Sequence, residues 1–166
     1  MKVMGIDPGT ATTGYAVVER RSAGASALDV GVVCTDSSSP QAVRLVELRR
    51  RLTAVMAAHE PEIVAVERVF FNSNVRTAMA VGQAAGIALV TAAEAGIPVV
   101  DLTPLEVKQS VVGVGSASKH QVGAMVARIL GLERAPSPPD AADACALAIC
   151  CLNRSRLAGA IQAARR

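Results

Sequence analysis

Three apolar runs crowd into the first 35 residues of this chain: Val3 to Ile6, Gly14 to Glu19, and Leu28 to Thr35. The turn Asp7-Pro8-Gly9 and a threonine-rich link separate the first two. A parallel pair of strands needs a crossover of roughly a dozen residues or more, and these connections are too short for one. The spacing therefore predicts a three-strand antiparallel meander. The pattern then changes. Ser39 is placed to cap a helix with Pro40 in its first position, and Leu45, Leu48, Leu52, Val55 and Met56 recur at helical spacing up to about His59. A strand follows over 62–67, then an apolar helix over about 74–94, then a strand over 97–102. Strands separated by helices pair in parallel, so the expected fold is α/β, a mixed five-stranded sheet flanked by helices.

Thr103-Pro104-Leu105-Glu106 and Ser118-Lys119-His120-Gln121 are capping boxes, each opening a helix. The second helix carries Val122, Met125, Val126, Ile129 and Leu130 on one face, and Gly131 stops it. Ser137 with Pro138 and Pro139 opens the last helix. One domain is expected over 1–153, with 154–166 as a flexible tail. The stretch from Ala78 to Ala93 is interrupted by Gln83 and is shorter than the ~20 residues of a membrane span, which predicts a buried helix and no membrane association. Gly82 and Gly86 on that helix allow a close helix contact, within the core by default or across a dimer. Cys34, Cys145, Cys150 and Cys151 lack metal-ligand spacing and suit reduced, buried thiols in a cytoplasmic protein.

Four carboxylates interrupt the most apolar segments. Asp7 ends the first run, Glu67 ends Ile63-Val64-Ala65-Val66, and Asp140 and Asp143 begin an alanine-rich helix. A buried, unpaired charge costs about 3–5 kcal/mol, and no cation stands within these runs to offset it. Arg68 follows Glu67 but points to the opposite face of a strand. If the first and fourth strands are parallel neighbours, Asp7 and Glu67 emerge together at their carboxyl ends, where open α/β sheets bind ligands. Asp140 and Asp143, three apart, share a helix face. Taken singly, Asp7 is a turn former, and Asp140 and Asp143 are helix N-terminal acids. Taken together, they form an oxygen-only donor set that suits Mg²⁺ or Mn²⁺, with two ions acting on a phosphodiester. Two such ions would add four positive charges to the formal +3 of the chain, favouring an anionic substrate.

Other residues near these acids suit nucleic acid. Phe70 and Phe71, the only phenylalanines, stand side by side just past Glu67. One can stack on a base, worth about 1–3 kcal/mol, while the other plugs the core. Lys108 and Lys119 are two of the few lysines and flank Gly113-Val114-Gly115-Ser116, an arrangement suited to phosphate but also to plain solvation. His120 beside Lys119 could approach phosphate, and His59 reads as a helix-dipole partner.

Gly5-Ile6-Asp7-Pro8-Gly9, Thr13-Gly14-Tyr15, Val66-Glu67-Arg68-Val69-Phe70, Asn74 to Ala78, Gly82-Gln83-Ala84, Val107-Lys108-Gln109 with Val112-Gly113, and Asp140-Ala141-Ala142-Asp143-Ala144 occur in a fixed order. This set resembles the bacterial RuvC Holliday junction resolvases over nearly the whole chain to about residue 152. The resemblance implies an RNase H-like fold and a homodimer that cuts two opposed strands of a four-way DNA junction beside the RuvA and RuvB branch-migration proteins. It implies Mg²⁺ or Mn²⁺ held by Asp7, Glu67, Asp140 and Asp143. It further implies DNA contacts from Phe70 or Phe71, Arg76, Lys108 and Lys119. Ala85 stands where the family usually has arginine. Two other classes share parts of the pattern: an actin-like ATP-binding module, which needs a second domain, and a non-catalytic DNA-binding scaffold.

Overall fold

In a computed structural model of the protein, the described residues are 1–22, 24–68 and 75–164, with side chains described for all of these except 75–77 and 156–164. The order is β1 (Lys2–Asp7), β2 (Thr12–Arg21), β3 (Gly24–Cys34), α1 (Gln41–His59), β4 (Ile63–Glu67), α2 (Val75–Glu94), β5 (Val99–Leu102), α3 (Pro104–Val112), α4 (Lys119–Leu130) and α5 (Pro139–Ala164). The five strands form one sheet in the order β3-β2-β1-β4-β5. The meander is antiparallel, and β1–β4 and β4–β5 are parallel, as the connection lengths require.

The sheet divides two cores by simple alternation along each strand. Met4 and Ile6 of β1, with Val64 and Val66 of β4, face α1 and α2 and pack with Leu48, Leu52, Met56, Ala84, Ala88 and Ala92. Val3 of β1, Ala16 and Val18 of β2, and Ala65 of β4 face the other way, against α3, α4 and α5. Gly5 shares this second face. A Cβ there would overlap the backbone carbonyl oxygen of Ala144 and lie 2.9 Å from the amide nitrogen of Ala148. At Gly14 of β2 a Cβ would overlap the backbone carbonyl of Asp140. These two glycines, facing a helix of buried Ala141, Ala144 and Ala148, let α5 lie almost directly on the sheet. That close approach fixes the start of α5 beside the end of β1.

Several boundaries differ from the sequence expectation. The β2–β3 hairpin is longer because its register continues through Arg21↔Gly24, so strand pairing carries polar residues that apolar patterning omits. Tyr15 lies across from Gly31, where a Cβ would come within 2.9 Å of its hydroxyl oxygen. Ser39 is not the cap of α1. Pro40 occupies that position without a side-chain cap bond, and the Ser39 hydroxyl lies 3.4 Å from the Asp36 carboxylate instead. Asp36 organises this turn by accepting from the Ser38 amide at 2.9 Å. Both predicted capping boxes form: Thr103 with Glu106, and Ser118 with Gln121. Helix α5 continues to Ala164, past the residue 153 boundary expected from sequence. Gly82 and Gly86 do not seat a neighbouring helix within the described chain, since a Cβ at either would meet nothing within 4 Å. Cys145, Cys150 and Cys151 are buried free thiols, and burial pushes the Cys145 thiol up to about 12, whereas Cys34, at the end of β3, is exposed and not buried as expected.

Candidate metal centre and nucleic-acid interface

The parallel register of β1 and β4 pairs Ile6 with Val66, so Asp7 and Glu67 are the next residues at the same end of adjacent strands. Both follow the alternation that faces α5. Asp143 lies one helical turn past Asp140 on that helix, and the Asp140 carbonyl sits over Gly14, the cross-strand partner of Asp7. Three chain segments distant in sequence thus deliver four carboxylates to one end of the sheet.

Asp7, Glu67 and Asp143 line a cavity of about 120 Å³, together with Lys108, Lys119, Pro104, Val107, Val122 and Leu147. Asp140 is not part of this lining but lies close enough to act on Asp7 by its charge. Burial, followed by repulsion from Glu67, Asp143 and Asp140, pushes the Asp7 carboxyl up to about 7, while Lys119 opposes the shift. Glu67 is also raised, first by burial and then by Asp143, against the field of Lys119 and a hydrogen bond with Asp7. Without a cation, burial and mutual repulsion both disfavour the charged forms of these acids. That is the electrostatic condition a hard divalent cation relieves, and carboxylate oxygens are the donors it prefers. The donor chemistry therefore fits Mg²⁺ or Mn²⁺. The shell is not closed as the side chains stand: among the described residues no group of three His, Cys, Asp or Glu side chains is close enough to hold one ion. Asp143 instead accepts a hydrogen bond from Lys119 Nζ at 2.7 Å.

The turn that carries Asp7 is held by a residue that the sequence argument used only as part of a motif. Thr13 is buried, donates its hydroxyl hydrogen to the Gly9 carbonyl at 2.5 Å, and accepts from the Gly9 amide at 3.2 Å. A threonine-rich link between two apolar strands was the available signal. Lys108 and Lys119 both line the cavity. The Lys119–Asp143 pair carries no local signal in the sequence, because the two residues are 24 apart and lie on different helices. Phe70 and Phe71 lie outside the described residues, and Arg76 lies on α2 with its side chain outside them.

Comparison with known proteins bears directly on this arrangement. The family model described as "Crossover junction endodeoxyribonuclease RuvC" matches residues 3–151. The chain belongs to the RuvC family. It is 48% identical over 162 residues to the crossover junction endodeoxyribonuclease RuvC of Syntrophomonas wolfei, covering 98% of this chain and 94% of that one. The RuvC structure of Thermus thermophilus superposes with a TM-score of 0.88 at 41% identity, over 95% of this chain and 97% of that chain. The T. thermophilus RuvC bound to a Holliday junction substrate gives 0.87 at 39% identity, over 95% and 96% of the two chains. The fold is therefore that of the RuvC resolvases, as the motif order implied, and membership in an endodeoxyribonuclease family displaces the ATP-binding and scaffold alternatives. Among the described residues no helix is long and apolar enough to cross a membrane.

Proposed function

We propose that this protein is a structure-specific, divalent-metal-dependent endonuclease that resolves four-way DNA junctions by paired hydrolysis of two opposed strands. The observation that carries the reading is the convergence of Asp7, Glu67 and Asp143 on one cavity, with Asp140 adjacent, in a chain of the RuvC family. The T. thermophilus relative bound to a Holliday junction supports the choice of substrate. Asp7, Glu67, Asp140 and Asp143 would hold Mg²⁺ or Mn²⁺, two ions per site. When bound, the metal lowers the pKa of an attacking water and offsets charge on the phosphodiester. The protein's own part is to hold the carboxylates at one sheet end, to aim Lys108 and Lys119 at the phosphates, and to exclude bulk water from a small pocket. Phe70 or Phe71 would stack on a base beside the crossover, and Arg76 would add a backbone contact.

Two opposed cuts need two active sites, so the functional unit is a homodimer. Met79 and Val90 of α2, with Val43 and Val46 of α1, are exposed apolar residues that suit a subunit contact. The nuclease unit is assigned to 1–153, acting in the cytoplasm beside RuvA and RuvB. The test is cleavage of a synthetic junction end-labelled on one strand at a time. Nicks at symmetric positions in two opposed strands are expected. Cuts in a single strand, or in all four alike, contradict paired resolution.

A further inference from the structure

We propose that Lys119 is an exchangeable counter-ion of the carboxylate cluster: its ammonium holds Asp143 while no divalent cation is bound and is released toward a DNA phosphate when one enters. The inference rests on the cation-site reading above and concerns the order of events there.

The position of Lys119 is electrostatically unfavourable for its own helix. It is the first residue of α4, next to the Ser118 cap, where the helix dipole disfavours a positive charge. What holds it is Asp143, at 2.7 Å. The Lys119 side chain is 78% exposed, whereas that of Asp143 is only 27% exposed, so the lysine reaches the cluster from the solvent side. Its field also opposes the rise at both Asp7 and Glu67, which makes it the provisional neutraliser of three acids rather than the partner of one.

An incoming cation and Lys119 compete for the same Asp143 carboxylate and the same local field. Exposed ion pairs hold their partners by only a few-fold over free solution, so the exchange is readily reversible. The displaced ammonium remains at the rim of the cavity with Lys108, where a phosphate would be the nearest anion of the substrate.

The test is calorimetric titration of the DNA-free protein with Mn²⁺, comparing the wild type with Lys119→Met, Lys119→Arg and Asp7→Asn. Lys119→Met is expected to bind Mn²⁺ roughly two- to fivefold more tightly, because it keeps the stem and removes the competitor. Lys119→Arg, which keeps the charge, is expected to stay near the wild type. The Mn²⁺-induced rise in melting temperature should be larger for Lys119→Met than for the wild type. Equal or weaker Mn²⁺ binding by Lys119→Met overturns the exchange while leaving the cation site standing. Absence of Asp7-dependent Mn²⁺ binding in every protein overturns both.

Discussion

Replacing Asp7 with asparagine is expected to lower junction cleavage by roughly a thousandfold or more while leaving junction binding largely intact. The substitution keeps the size of the side chain and removes the acid that lies at the centre of the cluster. Burial first, and then repulsion from Glu67, Asp143 and Asp140, raise the pKa of Asp7 to about 7. A neutral amide relieves the repulsion, so the metal-free variant should melt at or above the wild-type temperature. Loss of activity with preserved stability separates a chemical role from a structural one. Retained cleavage by Asp7→Asn contradicts the assignment.

The second large effect concerns the seat of α5. Gly5→Ala is expected to destabilise the fold by about 3 kcal/mol or more, because the added methyl meets helix backbone, which cannot rotate away as a side chain can. For a chain of this length that corresponds to a fall of roughly 10 °C in melting temperature. The nearest obstacles are the carbonyl oxygen of Ala144 and the amide nitrogen of Ala148, both on the helix that carries Asp140 and Asp143. Lifting α5 off the sheet moves two acids away from Asp7 and Glu67, so cleavage should fall beyond what the loss of folded protein explains. Thermal melting and activity measured below the transition check both parts. A variant with wild-type stability would mean that α5 does not rest on β1 as closely as the structure places it.

The site was legible in the sequence to the extent that physical conflict marks it. A carboxylate ending an apolar strand is conspicuous because burial penalises it, and that alone singled out Asp7 and Glu67. Connection lengths then made β1 and β4 parallel, and the register brings those acids side by side. The i, i+3 spacing of Asp140 and Asp143 was equally readable. Features that depend on absent atoms or distant partners were harder to read. Gly5 and Gly14 matter for what lies opposite them, and nothing local in the chain announces the carbonyls of Ala144 and Asp140. The Lys119–Asp143 contact joins two helices that only tertiary packing brings together. Ser39 is not the cap because the helix begins one residue later, with the Pro40 carbonyl accepting from the Val43 and Arg44 amides, and the Ser39 hydroxyl donates to Asp36. Gly82 and Gly86 read as a packing face, yet a Cβ at either meets nothing within 4 Å among the described residues.

The central claim is that the converged carboxylates form a metal-dependent site for branched DNA. Its most direct test is incubation of the purified protein with a synthetic four-way junction and with a linear duplex of matched sequence, each with and without Mg²⁺. The account predicts cleavage of the junction alone, and only when Mg²⁺ is present. Equal cutting of the duplex, or junction cleavage that persists in a chelator, would contradict it.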